Sequence, residues 1–235
     1  MGFFRGPNIV TDGLVLALDA ANTKSYPGSG TTWSDLSGNN YTGTLTNSPT
    51  FNSANNGSIS FDGTNDYTTL GNISTLDIGT STLTCFVWIK TNHSSSGVFG
   101  KYQTDTGEPG WTINLSTTGK ITAILKNSTG LGFINDSLST INNNIWRQVA
   151  VVFRTSGIAN TIYIDGTFDK NSDVLSGVIT TNARSVLIGC TNLPTNTPGS
   201  FFNGNISNTL IYNRELSASE ILQNYNALKS RFNLT

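Results

Sequence analysis

Carboxylates, a lone histidine and a few aromatic rings are the residues here that could do chemistry. Hydrolysis of a glycosidic bond takes two carboxyl groups flanking that bond. The chain has three glutamates: Glu108 in the turn TGEPG, Glu215 just before a helical pattern, and Glu220 inside it. None lies mid-strand, where period-2 spacing would set two carboxylates on one face. His93, in the loop TNHSSSG, is the one histidine. Counting alone allows a Ser-His-Asp set, but no G-x-S-x-G elbow accompanies it, and a lone loop histidine is read as a solvated side chain. Histidine, cysteine and acidic residues are too thinly spread for zinc. Calcium is the metal the chain allows, because Asp62, Asn65 and Asp66 in FDGTNDY place hard oxygens close together. The same residues are turn formers whose side chains bond nearby backbone, and that reading is preferred. No other cofactor is expected. Sugars stack on exposed aromatic faces. In TLTCFVWIK, Phe86 and Trp88 share one strand face and Leu83, Cys85, Val87 and Ile89 the other. If their face is open, Phe86 and Trp88 are candidate ligand-binding residues together with His93. If the segment Ala20–Ser58 or the C-terminal helix covers them, they are core.

The elements that must position these residues are mostly strands. Gly, Asn, Ser and Pro clusters punctuate the chain from Gly13 onward. The pattern predicts strands at Leu14–Asp19, Ser58–Phe61, Tyr67–Leu70, Leu83–Lys90, Gly97–Lys101, Trp111–Leu115 and Lys120–Leu125. Further strands are predicted at Trp146–Phe153, Thr161–Ile164, Ser185–Gly189 and Asn205–Tyr212. Asp165-Gly166 marks a tight hairpin, since both positions suit positive φ. The polar stretch Ala20–Ser58 is expected to wrap an edge, anchored by Trp33, Leu36, Tyr41 and Leu45. One helix is expected at about 218–231. Ser217 and Glu220 have the capping-box spacing, and Leu216 and Ile221 the staple spacing. Ile221, Leu222, Tyr225, Leu228 and Phe232 fall on its apolar face.

Composition bounds the class. The chain has 235 residues, 11% charged and 10% aromatic, with a net charge of -1. One all-β domain over 12–235 fits this length. A net charge near zero with no basic run excludes the nucleic-acid class, which needs clustered Lys and Arg. No apolar run approaches the roughly 20 residues of a membrane span. GLVLALDAA is read as the first strand and not as a signal-peptide core, because Leu14, Leu16 and Leu18 alternate between Asp12 and Asp19. Residues 1–11 form an N-terminal arm. Phe3, Phe4 and Ile9 on it are expected to contact another subunit, since a free arm would leave them as an exposed apolar patch.

Several stretches carry a family resemblance in order: GLVLALDAANTKSYPGSGTTWSDLSGNNYTGTL, SFDGTNDY, TLTCFVWIK, NIWRQVAVVF, IYIDG, LIG and the stretch from Phe201 to Phe232. Together they resemble laminin G-like, concanavalin A-like jelly-roll proteins of the bacterial and tailed-phage type. The resemblance implies an all-β, antiparallel two-sheet jelly-roll sandwich with one C-terminal α-helix. Laminarinase-like members carry Glu-x-Asp-x-Glu or Glu-x-Asp-x-x-Glu on one strand, and this chain has neither. Pentraxins resemble it at Cys85, yet the strand where they place the partner cysteine reads RQVAVVF here, so Cys85 is taken as a free buried thiol. Their calcium loop corresponds to CTNLPTNTPGS, which has no acid. Ser207 stands where relatives often have an aspartate.

The expectation is therefore a protein without enzymatic activity. A start methionine, no evident export signal and the phage-like wording suggest a virion surface protein of a tailed phage: a head decoration, fibre or appendage subunit made in the host cytoplasm. Its partners would be other virion subunits, as a homo-oligomer or with capsid or tail proteins, and cell-surface glycans, but neither nucleic acid nor membrane. The alternative is an extracellular, secreted bacterial lectin-like carbohydrate-binding module.

Overall fold

The computed structural model describes residues 7–79, 81–104, 109–127, 132–155, 159–172, 182–193 and 197–235. The first strands are Leu14–Asp19 (β1), Thr32–Trp33 (β2), Gly43–Thr46 (β3), Thr50–Asn52 (β4), Ser58–Asp62 (β5) and Tyr67–Thr69 (β6). Next come Thr82–Lys90 (β7), Ser96–Lys101 (β8), Gly110–Leu115 (β9), Lys120–Lys126 (β10), Gly132–Thr140 (β11) and Arg147–Arg154 (β12). The last are Thr161–Ile164 (β13), Thr167–Asn171 (β14), Leu187–Ile188 (β15), Thr191–Asn192 (β16), Pro198–Gly199 (β17) and Asn203–Tyr212 (β18). The helix α1 spans Ala218–Leu228 and tightens into a 3-10 turn over Lys229–Phe232.

Two antiparallel sheets form the sandwich. One runs β14-β13-β12-β7-β18-β5-β4, with β1 also paired to β18; the other runs β11-β10-β9-β8-β15-β6-β3-β2. β18 is the hub, pairing β5 through Asn203–Ile206 and β1 through Asn208–Tyr212 while lying along β7. Side chains alternate faces along a strand. In β7, Leu83, Cys85, Val87 and Ile89 therefore enter the inter-sheet core with Phe99, Trp111, Ile113 and Phe153. Cys85 and Cys190 are both free and buried.

Phe86 and Trp88 point the other way, and the outer face they occupy is covered. Phe86 packs with Ala150, Leu210, Tyr212, Leu216 and Ile221. Trp88 stacks on Phe232 at 4.3 Å and on Tyr225 at 5.6 Å between ring centroids. Both side chains are 0% exposed. Their assignment as ligand-binding residues is thus corrected: the C-terminal helix lies on them, and this burial makes β7 apolar on both faces.

α1 is held as its sequence implies. Ser217 Oγ accepts from the Glu220 amide, and the Glu220 carboxylate accepts from the Ser217 amide. Leu216 and Ile221 lie in the same apolar cluster. The helix ends three residues earlier than expected, and Leu222 is exposed. The inward position is taken instead by Asn224, which is 0% exposed. Its Oδ1 accepts from the Val10 amide at 2.8 Å, and its Nδ2 donates to Tyr212 Oη at 3.1 Å. Tyr212 Oη in turn donates to the Val10 carbonyl at 2.8 Å.

This network corrects the reading of Ile9 as a subunit contact. Ile9 packs on the cluster under α1, Val10 is buried there, and Gln223 Nε2 donates to the Asn8 carbonyl. The segment at 8–10 belongs to its own sandwich because α1 supplies the amide that satisfies its backbone. Phe3 and Phe4 lie outside the described residues.

The stretch Ala20–Ser58 does more than wrap an edge. It supplies β2 and β3 to one sheet and β4 to the other. Trp33 and Leu45 are buried anchors and Tyr41 packs on the core, whereas Leu36 is exposed. Asp165 and Gly166 make the expected hairpin turn, with φ of 53° and 74°. Among the described residues no helix is long and apolar enough to cross a membrane.

Candidate functional site

One end of the sandwich carries a groove built by the β3–β4 and β5–β6 connections, each of which crosses from one sheet to the other. A cavity of about 470 Å³ lies between Tyr26, Gly28–Thr31, Leu45 and Asn47–Phe51. A second, of about 330 Å³, shares Asn47, Ser48 and Thr50 and continues to Ser60, Asp62 and Asp66. The two form one trough with an aromatic end and an acidic end.

At the aromatic end, Tyr26 and Phe51 lie 5.6 Å apart between centroids at 40°. Tyr26 is buried, its Oη donating to the Gly30 carbonyl, and burial raises its pKa. Phe51 is half-buried and gives the trough an accessible ring. Gly28 lies against that ring, where even a Cβ would be in contact at 3.7 Å. At the centre, Asn47 and Ser48 both adopt left-handed φ, 67° and 82°, which few non-glycine residues do. Asn47 Nδ2 donates to the Asn65 carbonyl at 2.8 Å and ties the two loops together.

At the acidic end, Asp62 Oδ1 accepts from the amides of Thr64 and Asn65, at 2.8 and 3.3 Å. Asp66 Oδ2 accepts from the Asp62 amide at 3.2 Å. The amide of Thr64, more than any other group, lowers the pKa of Asp62. Burial, and then the charge of Asp62, raises that of Asp66. Asp62 is exposed and Asp66 is 4% exposed. The Asn203 side-chain nitrogen donates to the Asp62 carbonyl and joins this turn to β18.

Asp62, Asn65 and Asp66 are thus together, as their spacing implies, but their bonds are those of a turn. Calcium takes six to eight oxygens. Here one oxygen of each carboxylate is already engaged by backbone, and the Asn65 carbonyl by Asn47. Among the described residues no three acidic, histidine or cysteine side chains gather as a metal set. The residues do not fit a calcium cage. His93 stands apart, exposed on the β7–β8 loop, with its backbone amide bound by Thr91 Oγ1. Sequence reasoning passed over Tyr26, Asn47 and Phe51. Their signal is an aromatic residue beside each of two Pro-containing turns, SYPGSG and NSPTF.

Among the described residues, several other carboxylates are paired away from the groove. Glu215 pairs with Arg154 at 2.5 Å, Glu220 with Arg214 at 2.6 Å, Asp165 with Arg147 and Asp19 with Arg231, both at 2.7 Å. Glu108 lies outside the described residues. Asp62 and Asp66 sit on one short connection, the Asp66 carboxylate accepting from the Asp62 amide, so they meet a ligand from one side only. A hydrolytic pair has to flank the bond it breaks.

A two-sheet jelly roll of this kind places the chain in the concanavalin A-like class. Residues 62–222 match the Concanavalin A-like lectin/glucanases superfamily, and the chain belongs to it. No curated protein sequence matches. Among solved structures, the binding domain of Paraclostridial Mosquitocidal Protein 1 is similar with TM-score 0.70 at 19% identity, covering 92% of this chain and 52% of that one. Botulinum neurotoxin type C, described as depending for cell entry on two ganglioside molecules, is similar with TM-score 0.70 at 15% identity, covering 93% and 52%. The binding domain of botulinum neurotoxin DC, solved with SialylT, is similar with TM-score 0.68 at 14% identity, over the same shares. At these identities the likeness is one of fold. The chain spans about half the length of the solved chains it matches.

Proposed function

We propose that this protein is a non-enzymatic, lectin-like module that binds glycans through the rim groove. The single observation that carries this reading is the trough itself: a half-buried Phe51 ring backed by Tyr26, then amide and hydroxyl groups, then an ionised Asp62. An aromatic face takes the apolar side of a sugar ring. Amides and hydroxyls both donate and accept, which suits dense sugar hydroxyls. The fold likeness to toxin binding domains solved or described with gangliosides and SialylT supports it. The absence of an opposed carboxylate pair in the groove supports a role without hydrolysis.

The test is binding of the purified protein to an immobilised glycan panel, followed by titration of the best ligand. Phe51→Ala is expected to weaken that ligand about 10-fold, equivalent to 1.4 kcal/mol, with the fold retained and no glycan turned over. Equal affinity in Phe51→Ala, or binding to nothing on the panel, would remove the groove from consideration.

For where the module acts, we propose the surface of a tailed-phage virion, as a head decoration, fibre or appendage subunit contacting copies of itself or capsid or tail proteins. Its neutral, turn-rich surface and the phage-type wording of its sequence support this. A second reading, a secreted bacterial carbohydrate-binding module, is favoured by the bacterial toxin domains that share the fold. Mass spectrometry of purified particles and of culture supernatant separates the two.

A further inference from the structure

A second recess opens on the same end of the sandwich. It is small, about 160 Å³, and lined by Ser95, Ser96, Gly97, Thr104, Asn114, Leu115, Thr191 and Ser200. That is room for roughly five waters at the share each takes in the liquid. We infer that this recess is a subsite for a neutral polyhydroxylated group, such as an uncharged terminal monosaccharide, separate from the Phe51 groove. The inference rests on the glycan-binding reading for its biological sense but not for its chemistry.

Two independent observations carry it. The first is that the recess is built. The Gly97 amide donates to the Ser200 carbonyl at 2.7 Å, and the Ser95 amide to the Ser116 carbonyl at 3.0 Å, so its walls are tied by backbone. Gly97 lies so close to β16 that a Cβ would stand 2.5 Å from the Cys190 carbonyl carbon. That wall of the recess is therefore packed directly on the Cys190–Thr191 backbone, an approach only glycine permits. The second is that Ser96, only 5% exposed, has a hydroxyl buried with no hydrogen-bond partner. A buried hydroxyl without a partner is unfavourable. A hydroxyl-bearing guest in the recess would supply that partner.

The lining sets the ligand class. Ser95, Ser96, Thr104, Thr191 and Ser200 carry hydroxyls, which donate and accept. Asn114 Oδ1 already accepts from Thr112 Oγ1 at 2.9 Å, which leaves its amide nitrogen to donate. No lining side chain is charged. Anions and cations thus find no counter-charge, while a neutral polyol finds donors and acceptors at several angles. The recess also lies within reach of the first groove. Tyr67 follows Asp66 of the groove, Phe201 follows Ser200 of the recess, and their half-buried rings lie 6.4 Å apart at 36°. One branched or extended glycan could touch both.

The experiment is amide NMR of the full chain titrated with glucose, galactose, mannose and N-acetylglucosamine, and in parallel with sialic acid and calcium chloride. At least one neutral sugar is expected to shift the Ser95–Gly97, Asn114, Thr191 and Ser200 amides at tens of millimolar, and the two ionic probes are not. Ser96→Ala should weaken that response at least threefold while leaving the fold intact, since it removes an unpartnered hydroxyl. Thr191→Val provides a second variant on another wall. Phe51→Ala should leave the response unchanged, so loss of the groove and loss of the recess are read separately. No shift with any neutral sugar, an equal shift in both recess variants, or a response to the ionic probes alone would overturn the inference, whatever the groove does.

Discussion

Replacing Asn224 with alanine should destabilise the protein by about 2–3 kcal/mol, although the residue is polar and lies on a surface helix. Its amide is 0% exposed and makes two hydrogen bonds, one accepting from Val10 and one donating to Tyr212. Without it the Val10 amide, in a residue 7% exposed, has no acceptor. A buried donor left unpaired costs about 1–3 kcal/mol. The void left by the carboxamide adds to this, and the better helix propensity of alanine returns at most about 0.7 kcal/mol. In a domain of this size each kcal/mol moves Tm by roughly 2–4 °C, so a fall of several degrees is expected. Tyr212→Phe removes the donor to the Val10 carbonyl from the other side of the same network. The tyrosine serves as a donor throughout the ordinary pH range, because burial pushes its pKa up to about 12. Urea denaturation of the two single variants and the double variant gives the coupling. Residues in one network couple by about 0.5–3 kcal/mol. If Asn224→Ala lies within about 0.5 kcal/mol of wild type, the ordinary range of exposed surface changes, or if the two changes simply add, the N-terminal segment is not held as described. The subunit-contact reading of Ile9 would then return.

Four further outcomes follow from the same geometry. Trp88→Ala should cost about 3–5 kcal/mol, as for other large core aromatics, while a milder Trp88→Phe variant keeps full glycan binding by titration, because the ring is buried against Phe232 and Tyr225. Glu220 is held down to about 2 by its hydrogen bonds from Arg214 and then Ser217. A depressed carboxylate stabilises the fold above its unfolded value and loses this as pH falls through the folded one. Wild-type melting should therefore decline between about pH 4.5 and pH 2, and Glu220→Gln should show a shallower decline. Asp66 has the opposite sign, since its raised pKa means the fold disfavours its charge. Asp66→Asn should raise Tm at neutral pH, with the gain fading below the carboxylate range, and EDTA or added calcium should move wild-type Tm by no more than a few degrees.

Strand positions were legible in the sequence because their signal is local. Period-2 alternation places Leu14–Asp19 and Thr161–Ile164 where the structure has them. The Ser217–Glu220 spacing locates the helix start, because both partners of the cap lie within one turn. β11 and β14 escaped notice for the same reason. NDSLST and TFDKN carry little alternation and gain their places from pairing with β10 and β13. The β-strands within Ala20–Ser58 are two to four residues long, too short for any periodicity. Their place comes from the sheets they join.

The site was least legible because the rings with the clearest sequence signal are not the ones left open. Phe86 and Trp88 stood out through their regular spacing on a long strand. That same regularity makes their face a good seat for an amphipathic helix, and α1 takes it. Phe51 sits on a three-residue strand, after a proline turn with two left-handed residues, and no pattern predicts its partner Tyr26, which is 25 positions earlier. Regular elements tend to bury what they align, while irregular connections leave side chains between wall and solvent. In this fold the loops at one end of the sandwich bring Tyr26, Phe51, Asp62 and Tyr67 to a common rim, and the helix seals the face that the sequence advertises. The Trp88→Phe and Phe51→Ala variants therefore test one proposition from two sides. If binding follows Trp88 and ignores Phe51, recognition lies under the helix, and α1 would have to lift from the sandwich for a ligand to enter.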